Sequence, residues 1–498
     1  MENDLDDLSF VIAFPLPFRV LFLAGAGILG WAANLHGLRL LGVDAASALD
    51  LRAHERESPP PLPLLVDDRR ARAALTASAL CSPVYRLAFG YALWCLAAWV
   101  LYRYATHGSA VLVDFFKHIP AVCALVVLVF MLFPYDVMQK RQRDAFLLSI
   151  KRCISSPINH RIFFSDVVFA DIFTSYAKVL GDVWLSLCML LPGGSLLTPP
   201  KQYGWYRWIL PTIMSLPYLV RFRQCIVEYT SPSNDSHRPL WNAVKYASSF
   251  PVIFLSAAQR LVLSDLIAKK GDRVVEEAWH GEHALFRLWL LAALVNSLYS
   301  FWWDVTYDWG FDLLQFTPES NRHHHLRVRR PSPPRAVNPP AIQEREESVA
   351  SRLKSATPSP SPPPLLAPSH PPASQHSHPV GVHPYGLRSR LLYPLPIYPL
   401  ALFINLVLRL TWSIKLSSHL HAKVQGEGSF FIFWVEVAEL VRRWVWVFIR
   451  VEWEIVRRAE DGARRTVMSG ESAVDADHES FELVNAGVDE PLLRDRHG

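Results

Sequence analysis

Cysteine is scarce in this 498-residue chain, and the placement of its six cysteines excludes more than their number does. Cys81, Cys95, Cys123, Cys153, Cys188 and Cys225 are scattered, form no Cys-x-x-Cys pair and mostly fall in or beside apolar runs. That pattern excludes a disulfide framework or a cysteine-held zinc site and reads as small buried hydrophobes. Charge is sparse too: Asp, Glu, Lys and Arg make up 19% of the residues, and no segment interleaves bases with aromatics as RNA-binding modules do. The formal net charge of +5 therefore fits basic loops beside anionic lipid, and no nucleic-acid partner is expected. No Ala-x-Ala-like cleavage site follows the first apolar run, so that run is expected to act as the targeting signal itself.

What fills the chain is hydrophobic residue, 51% of the total, bunched into runs of about 20, the length that crosses a bilayer. Bunching of this kind predicts an all-α, polytopic transmembrane helix bundle. Nine spans are expected, at 18–41, 86–105, 113–134, 164–195, 206–222, 242–267, 284–307, 392–415 and 429–450. Lys and Arg orient them. With a lumenal N-terminus, the cytosolic loops carry Arg69, Arg70, Arg72, Lys140, Arg141 and Arg143 among many bases, whereas the lumenal loops hold little beyond Lys201, Lys269, Lys270, Arg273 and Lys423.

The chain divides into a three-span N-terminal region (1–160), a second block of spans (161–315), an insert (316–389), two last spans (390–455) and a tail (456–498). Ser, Pro, His and Arg dominate the insert, which cannot bury enough apolar area to offset its ordering entropy. Insert and tail are both expected to be disordered and cytosolic. His323, His324 and His325 in the insert read as a solvated run rather than a metal site. Asp489 to Leu493 in the tail fits an acidic dileucine sorting signal.

Polar residues inside the spans carry the functional argument, because a buried charge in a membrane needs a partner, a wet cavity or a task. Asp304 and Asp308 are spaced i, i+4, on one face of the seventh span. The fourth span, about 48 Å long as a helix against a core of about 30 Å, must tilt, break or protrude. It carries Asp171, Thr174 and Ser175 on one face, Asp171 being placed equally well to cap an interface. Arg221 closes the fifth span and Lys245 opens the sixth, where snorkelling competes with function. Arg409 lies deep in the eighth span. Trp412, one turn on, fits either a lining or an interface-belt residue. The last span brings Glu439, Arg442 and Arg443. Arginine's planar fork suits phosphate or carboxylate and stays charged when buried, so these residues point to an anion path with carboxylates holding the bases in place.

Six ordered motifs gather the same residues: Phe-x-Asp-Val-x-Phe-Ala-Asp-x-x-Thr-Ser at 164–175, Arg-Phe-x-Gln-Cys at 221–225, Asn-Ala-x-Lys-Tyr at 242–246, Tyr-Ser-x-x-Trp-Asp-x-x-x-Asp-Trp-Gly at 299–310, Asn-x-x-Leu-Arg-x-x-Trp at 405–412 and Glu-x-x-Arg-Arg-x-Val-Trp-x-Phe-x-Arg-x-Glu at 439–452. Together they resemble the EXS family of phosphate exporters and Golgi proteins. The resemblance implies a pore for inorganic phosphate in the last six spans, lined by Asp171, Arg221, Lys245, Asp304, Asp308, Arg409, Glu439, Arg442 and Arg443, with Trp412 as an aromatic gate. Thr174 stands where the exporters carry Asn. With no SPX sensor domain expected ahead of the first span, the resemblance points to the compact Golgi branch. Its implied role is to return lumenal phosphate to the cytosol and to support retention of ER and Golgi residents. The Golgi membrane is the expected location, with the ER and plasma membranes as alternatives.

No cofactor is implied. Coat or retention factors on the cytosolic tail and a second copy of the chain are further candidate partners. Two other function classes stand beside transport. A sorting scaffold would act through the tail and insert without transport. An intramembrane aspartyl protease would need Asp308 and a second carboxylate sharing a proton, and Asp182, in Val-Leu-Gly-Asp, lacks the first glycine of the required motif. The orientation has its own test: Asn234-Asp-Ser236 is a glycosylation sequon on the cytosolic side and is expected to remain unmodified in secretory-pathway expression. A glycosidase-sensitive mass shift that vanishes in Asn234→Gln would invert the topology.

Overall fold

The computed structural model describes residues 2–51, 66–136, 139–155, 162–198, 200, 204–232, 234–270, 284–314, 386–388, 391–410 and 429–486. Among these there is no β-strand, as expected where backbone groups must satisfy one another inside a membrane. The helices are α1 (Glu2–Ala13), α2 (Leu16–Leu40), α3 (Ala45–Ala48), α4 (Val66–Thr106), α5 (Ala110–Phe115), α6 (His118–Leu132), α7 (Lys140–Ser155), α8 (Phe164–Ser175), α9 (Ala177–Leu190), α10 (Ile209–Thr230), α11 (Arg238–Ala247), α12 (Ser249–Lys270), α13 (Ala284–Trp303), α14 (Ile397–Arg409) and α15 (Ser429–Ala486). Each of the nine predicted spans overlaps helix among the described residues. Leu16–Leu40, Leu80–Thr106 and Ala284–Asp308 are long and apolar enough to cross a bilayer by length and composition, and His118–Leu132 and Ile397–Arg409 are shorter apolar helices. Most of the insert, His323 to His325, Trp412 and the Asp489–Leu493 motif lie outside the described residues.

Three departures from simple spans position the polar residues. The overlong fourth span breaks at Tyr176 into α8 and α9. The sixth span is likewise two helices, α11 and α12, meeting at Ser248. The seventh does not end as an α-helix: Asp304–Asp308 form one turn of π-helix, closed by a hydrogen bond from the Trp309 N–H to the Asp304 carbonyl. Such wide turns frequently accompany functional sites because they redirect side chains.

The largest apolar cluster among the described residues joins the N-terminal spans to the later ones, with Leu35 of α2 and Val84 of α4 packed beside Phe164, Val305 and Trp446. Glycines let α2 approach its neighbours closely: Gly27 faces the Tyr176 hydroxyl and Gly37 the Phe448 ring of α15. α1 is tied to the last span by Asp7, whose carboxylate accepts the backbone N–H groups of Ser429 (3.0 Å) and Phe430 (3.1 Å) and so satisfies the first turn of α15. α15 itself runs 58 residues, about 87 Å, well beyond a bilayer's thickness. Gly386 to Arg388, inside the expected insert, are packed: the Asp312 N–H donates to the Gly386 carbonyl (3.0 Å), and Arg388 is buried against Glu452 (2.5 Å).

Gly310 follows the π-turn with φ +67°, and a Cβ there would lie 2.5 Å from the Trp453 ring. Gly310→Ala combines left-handed backbone strain with overpacking and is expected to destabilise by about 2–4 kcal/mol, read as a lowered unfolding midpoint in detergent. An unchanged midpoint would mean that Trp453 turns aside freely.

Candidate functional site: a buried network of acids and arginines

The network is built outward from the π-turn. Asp304 has no solvent exposure, and such a carboxylate requires cations around it. Arg409, the last residue of α14, donates to Asp304 Oδ2 through Nη2 (2.6 Å) and Nε (3.1 Å). Arg442 Nη1 of α15 lies 3.8 Å from the same oxygen, and Asn405 Nδ2 donates to it at 3.3 Å. Asn405 faces the acid and Arg442 at once, since its Oδ1 accepts from Arg442 Nη1 (3.0 Å). Asp304 Oδ1 is buried and has no hydrogen-bond partner among the described residues.

Along α15, Arg442 also grips Glu439 one turn back through Nε (2.8 Å) and Nη2 (2.5 Å). Glu439 in turn accepts from the Ser175 hydroxyl (3.0 Å) at the end of α8. Here the sequence explains the local structure. Thr174 turns its hydroxyl back to the Asp171 carbonyl (2.7 Å), competing with the helical ladder next to the break at Tyr176, and that break presents both hydroxyls to α15. Arg443 donates to them, Nε to Ser175 (3.0 Å) and Nη2 to Thr174 (2.9 Å), with its guanidinium 4.8 Å from the Trp446 ring centroid. No carboxylate among the described residues forms an ion pair with Arg443.

Two further pairs complete the cluster. Asp171 receives Arg221 Nε (2.8 Å) and the Tyr246 hydroxyl, while Arg221 Nη1 donates to Gln224 (2.6 Å). Asp308 meets Lys245 Nζ (3.3 Å) and, more distantly, Arg450 Nε (3.8 Å). Arg450 continues to Glu454, which also accepts from Arg457 and Arg458 beyond the predicted span. Burial pushes the Glu454 carboxyl up, but these three guanidiniums hold it down at about 2. Asp182, the other half of the conceivable protease dyad, is paired with Lys178 on its own helix, while Asp308 faces Lys245 and Arg450.

Nine of the twelve residues singled out from the sequence are therefore linked by hydrogen bonds and ion pairs, Lys245 and Asp308 form a second pair joined to them through the π-turn, and Trp412 falls outside the described residues. Sequence reasoning passed over Asn405, Gln224, Tyr246 and Arg450 as site residues. Each lies inside a quoted motif, so the signal was present. For Asn405, Gln224 and Tyr246 what was missing was any reason to prefer an amide or a phenol to a formal charge, and Arg450, at the end of the last predicted span, read as an interfacial base.

The fold and this network define a polytopic helical membrane protein with a charge-paired polar core. The chain belongs to the EXS family, whose model matches residues 14–456. It is 26% identical over 461 residues to Protein ERD1 homolog 1 of Schizosaccharomyces pombe, covering 90% of this chain and 93% of that protein. It is 26% identical over 199 residues to Phosphate transporter PHO1 homolog 10 of Arabidopsis thaliana, covering 39% of this chain and 22% of the plant protein. Xenotropic and polytropic retrovirus receptor 1 homolog of Xenopus laevis is 24% identical over 203 residues, 38% of this chain and 27% of its own length.

Removing one member of a buried pair leaves the other charge uncompensated, at a cost of about 3–5 kcal/mol, whereas removing both is far milder. Arg221→Met is therefore expected to lower the unfolding midpoint more than the double variant Arg221→Met/Asp171→Leu. The reverse order in thermal unfolding would show that this pair is not buried together.

Proposed function

We propose that this chain carries inorganic phosphate across the Golgi membrane from lumen to cytosol, and that this supports lumenal glycosylation and the retention of ER and Golgi residents. The observation that carries the reading is Arg443. Arg221 is matched by Asp171, Lys245 by Asp308, Arg409 by Asp304, Arg442 by Glu439 and Arg450 by Glu454. Among the described residues, Arg443 has only hydroxyls and an indole face as partners. A buried guanidinium without a carboxylate favours an anion beside it, and weak hydroxyl partners are readily displaced by one. The flanking acids keep the remaining bases occupied, so the anion meets a limited positive excess and can leave again.

Asp304 Oδ1, buried and without a hydrogen-bond donor among the described residues, supports phosphate over fully deprotonated anions. A protonated phosphate donates its O–H to a carboxylate, whereas sulfate has no proton to give. The phosphate-transporter relative agrees with this choice. The compartment and the retention role rest on the family resemblance to the Golgi branch.

The test is phosphate flux into proteoliposomes. Arg443→Ala, Arg442→Ala and Arg409→Ala are each expected to reduce flux about tenfold or more, the scale of a lost charge-assisted hydrogen bond. Excess sulfate is expected to compete poorly. Undiminished flux in all three variants would remove the site assignment, and equal competition by sulfate would remove the role given to Asp304.

A further inference from the structure

A second binding feature lies away from the charge network. The last turns of α2 and the start of the apolar stretch of α4 enclose a cleft of about 420 Å³ bordered by His36, Arg39, Tyr85, Arg86 and Phe89. Arg39 and Arg86 are both exposed, and neither forms an ion pair with a carboxylate among the described residues. Between them His36 Nδ1 and the Tyr85 hydroxyl are 3.2 Å apart, with their rings edge to face at 5.8 Å, which adds two hydrogen-bonding groups to the same mouth. The other wall is apolar and faces outward: Phe89 is 71% exposed, and Leu93, one turn further along α4, is 57% exposed.

These features fix the chemistry of the occupant. A soluble anion would use the arginines and leave the apolar wall unused, and a neutral lipid would use the wall and leave two cations unmatched. A lipid with an anionic headgroup uses both. The cleft also lies at the end of α2 and the beginning of the α4 span, on the side that the Lys and Arg distribution assigns to the cytosol, where the anionic leaflet is found and where basic pockets between spans bind phosphorylated headgroups. We propose that this cleft holds an anionic phospholipid of the cytosolic leaflet whose headgroup carries a phosphate monoester. Arg39 and Arg86 grip the phosphate in arginine's forked geometry, His36 and Tyr85 hydrogen-bond to it, and an acyl chain lies along Phe89 and Leu93.

The test uses the full chain in phosphatidylcholine nanodiscs and a fluorescent dioctanoyl phosphatidylinositol monophosphate as probe. The protein is expected to bind the probe saturably, unlabelled dioctanoyl phosphatidylcholine is expected not to displace it, and Arg39→Gln/Arg86→Gln is expected to weaken binding about thirtyfold, the product of two charges near the membrane surface. Inorganic phosphate at the concentration of the competing lipid is expected to leave the probe bound. Probe binding by the double variant equal to that of the parent overturns the proposal, as does displacement by inorganic phosphate as effective as by unlabelled phosphoinositide. Should the double variant fail to fold, Arg86→Gln alone, expected to weaken binding about fivefold, decides on the same terms.

Discussion

The structure depends on the cost of burying the Asp304 carboxylate. A carboxylate with no exposure is tolerable only if cations reach it, and they come from elements far away in sequence, Arg409 being 105 residues distant. Meeting that demand places the end of α14 against the π-turn and brings α15 within reach through Arg442. Arg442 in turn needs an acid of its own, and the requirement passes outward through Glu439. Packing alone would leave these spans free to slide against one another. Reciprocal charge pairs fix their register.

α15 is the common partner in this arrangement. Its first turn is satisfied by Asp7, its middle supplies Glu439, Arg442 and Arg443, and its later turns hold Arg450, Glu452 and Glu454. Glu452, fully buried, accepts from the Leu392 N–H and the Tyr398 hydroxyl and pairs with Arg388, so it anchors the chain that leads into α14. Further along, Arg458 reaches Asp50 after α3 (2.9 Å). One helix therefore touches the first described segment, the N-terminal spans, the charge network and the segment after the insert.

Much of this was legible in the sequence, for identifiable reasons. Apolar runs marked the spans because the bilayer imposes a length, and the same length argument showed that 164–195 could not be one straight crossing, as the break at Tyr176 confirms. Buried charges stood out because few residues of that type occur inside such runs. What could not be read was the pairing. Asp304 and Asp308, spaced as if to share one lining, meet different bases, Arg409 and Arg442 for the first, Lys245 and Arg450 for the second. Those choices depend on which helices pack together and on the π-turn, neither of which has a sequence period. The break at Ser248 and the packing of Gly386 to Arg388 were hidden likewise, the first by continuous apolar composition and the second by the polar neighbours of a buried arginine.

The bond between the Asp312 N–H and the Gly386 carbonyl has an evolutionary consequence. It holds the two ends of a long excursion of the chain together, just beyond the π-turn. With its ends fixed, that excursion can be lengthened or shortened with little effect on the helices, because loop closure costs only about 0.6 kcal/mol for each doubling of length. The position is therefore a permissive one. New sequence, and with it new surface for compartment-specific contacts, can accumulate there without disturbing the aspartates of the π-turn a few residues upstream.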